Sequence, residues 1–264
     1  LARAAEIFNS HPNLTLFTRD QFSYDLARQH FDRCRVLLAP DMVFHLAGRP
    51  DLALHLPAPT TMLYHCRTDR ELNRDCLPTD LLEGLPTLER PKLVVQDWAS
   101  YRWVLGTRHR GLKRMLAYGV REGWQRGLTT PQEWRSRQTW LSTYPHSDVF
   151  SALHRPEIHR QSWSFLHSGL YQFQSHRLIM TNRLHGHILA TLLGIPHIFL
   201  PNSYHKNQAF YRAWTKDLPG CRFVADPAQM PLAIAALLND PDGVAHDGVS
   251  SMNTPVNAPV NAPQ

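Results

Sequence analysis

Long apolar runs, paired cysteines and lysines are all scarce in this 264-residue chain, and each scarcity excludes a class of protein. No stretch approaches the roughly 18 consecutive apolar residues that a membrane-spanning helix needs. The four cysteines, Cys34, Cys66, Cys76 and Cys221, form no C-x-x-C pair. Neither a disulfide framework nor a zinc knuckle is therefore expected, and a reducing cytoplasm suits the chain. Leu1 leads directly into a helix-like stretch with no charged-then-apolar leader, which predicts no secretory signal and, without an initial Met, a truncated N-terminus. Sixteen histidines are present, but His185 and His187 are spaced to point from different helix faces and no H-E-x-x-H or carboxylate cluster accompanies them. No metal is expected. Helix-turn-helix, RRM, KH and zinc-finger patterns are missing too, so nucleic acid is not an expected partner.

What is present is the composition of a folded protein. With 43% hydrophobic and 10% aromatic residues, the chain can fill the core of one large domain or two small ones. Basic residues number 28 against 22 acids, for a net charge of +6, and lysine stands only at Lys92, Lys113, Lys206 and Lys216. Arginine therefore carries the positive field. Its planar fork of donors suits carboxylate and phosphate, which by itself points to an anionic small molecule, nucleic acid or a lipid headgroup.

Read along its length, the chain alternates helix and strand. Residues 1–10 are helical in spacing, NLTLF at 13–17 is a strand, and a helix then starts at Asp20, whose side chain can cap it. RVLLAP at 35–40 is a buried strand, with Asp41 at the head of MVFHLAG. Prolines 50, 57 and 59 in 49–60 predict a domain boundary. TTMLYHC (60–66) and KLVVQDW (92–98) open a second sheet. The segment 101–137 holds nine basic residues and two acids, interleaved with Trp103, Trp124 and Trp134. It reads either as an amphipathic helix with its tryptophans inward or as a basic insertion facing an anionic glycan, a lipid-linked sugar or membrane headgroups. From Pro156 onward come a helix, the strand RLIMT, the helix HGHILATLLG ended by Gly194, the strand PHIFLP, a helix over YHKNQAFYRAWTKDL, the strand CRFVA and the helix MPLAIAALL. Near-continuous apolar strands in β–α alternation predict an α/β fold with a parallel sheet covered on both faces. The expected organisation is a partial N-terminal Rossmann-like domain (1–57), a C-terminal Rossmann-like domain (58–238) and a disordered tail (239–264) of Val-Asn-Ala-Pro repeats.

The chemistry concentrates in TNRLHG at 181–186, between a buried strand and a helix. In an open α/β sheet, ligands bind beyond the carboxyl ends of the strands, where a helix N-terminus offers free N–H groups to an anion. Arg183 adds a fixed cation, Gly186 lets backbone come close, and His185 can exchange a proton near neutral pH. Both Arg183 and His185 are expected to face a cleft, so that replacing either leaves the fold intact.

Together with TNRLHG, the segments TRDQFSY (18–24) with LAPDM (38–42), CRTDRE (66–71), GIP (194–196) and NSYHKN (202–207) carry a resemblance to the polysaccharide pyruvyl transferase family over about residues 10–230. The resemblance implies a GT-B-like arrangement of two Rossmann-like domains with the site between them. It implies transfer of a carboxyethylidene group from phosphoenolpyruvate, the donor substrate, with no further cofactor. The acceptor would be a sugar of an exopolysaccharide or cell-surface glycan, such as a lipid-linked oligosaccharide at the inner face of the membrane. His185 and Arg183 are then the catalytic candidates. Arg67 and Lys206 join Arg183 as cations for the donor, and Leu184, Asn207, Arg19 and Asp69 are further substrate-binding candidates. The family's glycine-rich G-G-G-N-x-G-D motif has no match in residues 1–57, which predicts an incomplete first domain. A nucleotide-sugar glycosyltransferase and a non-catalytic basic binding module are the alternative readings.

Overall fold

A small two-stranded unit precedes a five-stranded one in the computed structural model, which describes residues 2–66, 92–98, 131–143, 156–202 and 206–239. The first unit comprises α1 (Ala2–Asn9), β1 (Thr15–Thr18), α2 (Gln21–His30) and β2 (Arg35–Leu38), with β1 and β2 parallel. Asp20 caps α2 as its position predicts, its Oδ1 accepting from the Ser23 N–H at 2.8 Å. Ala27, Phe31, Cys34 and Val36 form the buried core here, and Phe8 of α1 closes it against Phe31, the rings 5.2 Å apart.

Residues 49–60 have few regular hydrogen bonds of their own, because Pro50, Pro57 and Pro59 remove donors. Side chains tie them down instead. Gln174 accepts from Leu54 N–H at 2.8 Å and donates to Leu52 O at 2.9 Å, and the Trp140 indole donates to Asp51 O at 2.7 Å.

The second sheet comprises β3 (Met62–His65), β4 (Leu93–Gln96), β5 (Leu178–Thr181), β6 (His197–Phe199) and β7 (Cys221–Phe223), all parallel, in the order β4-β3-β5-β6-β7. Every residue of β3, β5 and β6 is buried, as their unbroken apolar runs require of strands covered on both faces. The covering helices are α3 (Pro131–Thr143), α4 (Pro156–Gln174), α5 (Leu184–Leu192), α6 (Lys206–Phe210) and α7 (Met230–Asn239). One face packs Met62, Tyr64, Met180 and Ile198 against Met230, Ile234 and Leu237 of α7. The opposite face packs Leu63 and Ile179 against Phe173 of α4 and Ala190 of α5. Each such side chain contributes about 1.5–3 kcal/mol by leaving water. The chain steps outward from β3 to β4, then returns to β5 on the other side of β3. The order reverses between β3 and β5, and in open α/β sheets such a reversal is where a ligand crevice forms beyond the carboxyl ends of the strands.

Two elements differ from their sequence patterns. MVFHLAG is a 3-10 turn (Met42–Leu46), and the helix expected through 204–218 ends at Phe210 and continues as a π turn, Tyr211–Thr215. The basic stretch is described only from residue 131, where Arg137 is no surface cation: it is buried, donating to Glu133 at 2.8 Å and to Ser168. Trp134 is exposed and does not pack inward. The tail from residue 240, Trp103 and Trp124 lie outside the described residues.

Candidate active site

Thr181 ends β5, and its hydroxyl oxygen accepts the Arg183 N–H at 3.1 Å, turning the chain into α5. The same oxygen lies 3.0 Å from Nδ1 of His65, which ends the adjacent strand β3. His65 is wholly buried, with Trp98 and Phe173 presented edge-on at 4.3 and 5.0 Å. Burial, aided by the nearby Arg183 charge, pushes its pKa down to about 3, so the ring is neutral. Its Nε2 points at Asp97 Oδ1, 3.9 Å away. Asp97, just past β4, receives Arg183 Nη2 at 2.5 Å. Three neighbouring strand ends thus converge on one set, the buried His65 and Thr181 with the partly buried Asp97 and Arg183. The Cys66 thiol beside it is pushed up by burial and by Asp97, and stays protonated.

Gly186 packs directly over this set. A Cβ there would lie 2.6 Å from His65 Nδ1 and 2.7 Å from Thr181 Oγ1. The close approach that the glycine permits is therefore to the protein's own buried side chains.

His185, one residue earlier on α5, points outward, its side chain 62% exposed, and its Nε2 stands 3.6 Å from Asp41 Oδ2. Asp41 is buried at the end of the β2 segment. Burial alone would raise its pKa. The Arg19 hydrogen bond, the Val43 N–H and the charges of Arg19 and His185 outweigh that and hold the carboxyl below its usual range. Asp41 is therefore ionised at neutral pH. It caps the 3-10 turn, as its position suggests, and also links Arg19 after β1 to His185 on α5. Two contacts fix this meeting of the two sheets: Trp214 Nε1 donates to Arg19 O at 2.8 Å, and Phe44 stacks on Phe210. An exposed imidazole backed by an ionised carboxylate, beside a helix N-terminus and arginines, can bind an anion and move a proton on it.

A family model described as polysaccharide pyruvyl transferase matches residues 1–204. The chain belongs to the polysaccharide pyruvyl transferase family. It is 27% identical over 224 residues to EpsO of Bacillus subtilis (85% of this chain, 58% of that protein). It is 26% identical over 244 residues to pyruvyl transferase 1 of Schizosaccharomyces pombe (91% and 50%). The chain thus spans about half the length of the curated relatives it matches. A solved structure of an uncharacterised protein from Klebsiella pneumoniae aligns with a TM-score of 0.43 at 18% identity, covering 84% of this chain and 59% of that one. Among the described residues no helix is long and apolar enough to cross a membrane.

Within this family member, the structure brings Arg19, Arg183, Leu184 and His185 to one region and leaves Arg67 and Asp69 outside the described residues. Leu184 turns its side chain into the core formed by Ile188, Phe199, Phe210 and Cys221, and its backbone begins α5. Asn207 is buried and donates to Asn182 O and Leu200 O at 2.8 and 2.9 Å, tying together the segments that follow β5 and β6. Lys206 beside it is exposed. Sequence reasoning missed Asp97 and His65 as members of the site, and it included Thr181 only as the first residue of TNRLHG, with no role of its own. The available signal was position: each sits at or just beyond the end of a strand at the point of reversal.

Proposed function

We propose that the chain carries the proton-transferring half of a phosphoenolpyruvate-dependent ketal transferase, the two sheets being parts of a GT-B-like pair and the acceptor a sugar diol of a surface or exported glycan. The observation that carries this reading is the His185–Asp41 contact at the lip of the crevice, beside Arg183 and the start of α5. Family membership supports it, and the name of the Bacillus relative EpsO favours an exopolysaccharide acceptor.

The reaction makes demands that these residues suit. The donor's enol carbon takes a proton, its neighbour becomes electrophilic, and one sugar hydroxyl adds there. The bond to the phosphate oxygen breaks, the second hydroxyl closes the ketal, and the two hydroxyl protons are accounted for by the new methyl group and the released hydrogen phosphate. His185 delivers and collects these protons beside the Asp41 carboxylate. Arg183, Arg19 and Lys206 supply positive charge for a donor with close to three negative charges, each charge-assisted hydrogen bond contributing about 1.5–3 kcal/mol.

The test is phosphate release from phosphoenolpyruvate with and without sugar acceptors. His185→Gln should lower kcat by about 10²–10⁴ with little change in melting temperature. Arg183→Ala should raise the donor KM. Because the Arg183 side chain is only 15% exposed and paired with Asp97, that variant should also melt lower, unlike the fold-neutral substitution its sequence position suggests. Near-normal kcat in His185→Gln would sink the assignment. Stabilisation by nucleoside diphosphates with indifference to phosphoenolpyruvate would favour a nucleotide-sugar transferase instead.

A further inference from the structure

The second histidine of the H-G-H sequence has different company from the first. His187 is fully buried on the inner face of α5, where it meets His197 of β6, Cys221 of β7 and Thr215 at the end of the π turn. His187 Nδ1 lies 2.8 Å from His197 Nε2 and 3.8 Å from Cys221 Sγ, and the three donor atoms all fall within 4.8 Å of one another. Three elements thus bring two imidazole nitrogens and one thiol within 4.8 Å of one another.

The surroundings hold these groups as ligands are held. His197 Nδ1–H donates to Ile195 O at 2.8 Å, which leaves Nε2 with its lone pair facing the cluster. The far nitrogen of His187, Nε2, is 3.0 Å from the Thr215 hydroxyl, and its ring lies flat on Phe199 at 4.0 Å and 6°. Backing of a ligating ring's other nitrogen by a carbonyl or hydroxyl is the usual support of a bound metal. The π turn contributes directly, since it brings the Thr215 hydroxyl to the His187 ring, and such turns concentrate at functional sites. Burial keeps both rings neutral, with His197 lowered to about 4, and it pushes the Cys221 thiol up, so that a thiolate there requires a cation beside it.

We infer that His187, His197 and Cys221 form a structural site for a borderline-soft divalent ion, zinc by its preference for nitrogen and sulfur donors. Tetrahedral zinc would set the two nitrogens about 3.4 Å apart and nitrogen from sulfur about 3.6 Å apart, so the imidazoles would separate by about half an ångström and the His197–Cys221 pair, now within 4.8 Å, would close to about 3.6 Å. The Thr191 hydroxyl, 3.4 Å from His197 Nε2, is a further oxygen at the same edge. On binding, the Cys221 thiol releases its proton to solvent. The His187 ring proton moves from Nδ1 to Nε2, where it donates to Thr215 Oγ1, and His197 keeps its Nδ1 proton. The ion would pin α5, and hence His185, to β6 and β7. This inference rests on the cluster alone and stands whichever reaction the crevice performs.

The experiment is a cobalt(II) titration of the tag-free full chain after dialysis against a chelator. The expected result is one equivalent bound, with thiolate-to-cobalt charge-transfer absorption in the near ultraviolet, displaced by zinc, and a melting temperature raised by zinc. Cys221→Ser should abolish that absorption while circular dichroism stays native, and Thr215→Val should weaken cobalt affinity by about 10- to 100-fold. Wild-type protein with native circular dichroism but no stoichiometric cobalt would overturn the inference. The cluster would then be a plain hydrogen-bonded relay from Thr215 through His187 and His197 to Ile195. Absorption that survives Cys221→Ser would overturn it equally.

Discussion

Gly186→Ala isolates the packing between α5 and the buried polar set beneath it. The added methyl would lie 2.6 Å from His65 Nδ1, 2.7 Å from Thr181 Oγ1 and 3.1 Å from His65 Cε1, all closer than ordinary carbon contacts. Relief by side-chain movement is blocked. His65 is wedged against Trp98 and Phe173, and Thr181 is held at the end of β5 by the Arg183 N–H. Overpacking of this kind costs about 1–3 kcal/mol. Separating His65 from Thr181 leaves buried polar atoms without partners, at about 1–3 kcal/mol more. Alanine's better helix propensity returns about 1 kcal/mol. The net expectation is a loss of about 1–5 kcal/mol, read as a lower urea midpoint at unchanged m-value. Gly169→Ala is the control. Its methyl meets Trp98 at 3.5 Å and Leu189 at 3.7 Å, ordinary contact distances in mid-helix, so stability should hold or rise by up to about 1 kcal/mol. If Gly186→Ala loses less than about 0.5 kcal/mol, α5 is not seated on His65 and Thr181 as described, and the argument fails.

Asp41→Asn keeps an oxygen for the Val43 cap and removes the charge facing Arg19 and His185. A unit-charge pair about 4 Å apart contributes about 1 kcal/mol even at the dielectric of water, so kcat should fall about fivefold or more with the donor KM little changed. An unaltered kcat would show that His185 works without its carboxylate. His167, buried in α4 and placed beside the Arg137 cation, has its pKa lowered to about 4, chiefly by burial and secondarily by Arg137. The unfolded chain therefore binds the extra proton first. Stability falls as pH drops from about 6.5 to about 4, by about 3 kcal/mol from this residue, and loses nothing more from it below that window. His167→Phe should flatten that limb in urea melts taken across the range, and an unchanged slope would refute the assignment.

How much of this was legible in the sequence depended on the range of the interaction. LIMT and HIF could be nothing but doubly covered strands, and Gly194, with φ of 63°, closes α5 where its position indicates. Asp20 and Asp41 were recognisable as caps because capping is settled within three residues. The pairing of Asp97 with Arg183 spans 86 residues, and no local period encodes it. The same holds for His187, His197 and Cys221, whose contact is made by the order of β5, β6 and β7. The π turn was invisible for a related reason: Tyr211, Arg212, Ala213 and Trp214 suit an ordinary helix, and their winding is set by what Thr215 and Trp214 reach.

His185 and Asp41 belong to different sheets, and that division makes their contact a gauge of alignment. The imidazole rides on α5, the carboxylate on the turn after β2, and the Trp214–Arg19 and Phe44–Phe210 contacts serve as the fasteners between the two. At 3.6 Å the pair already stands beyond hydrogen-bond length. A shift of one sheet by an ångström would uncouple the proton carrier from its counter-charge while leaving Arg183 and Asp97, both mounted on the five-stranded sheet, untouched. Proton transfer and the Arg183 share of anion binding are thereby given separate mechanical dependencies, and loosening Phe44 or Trp214 should weaken proton transfer and Arg19's hold on the anion while sparing that of Arg183.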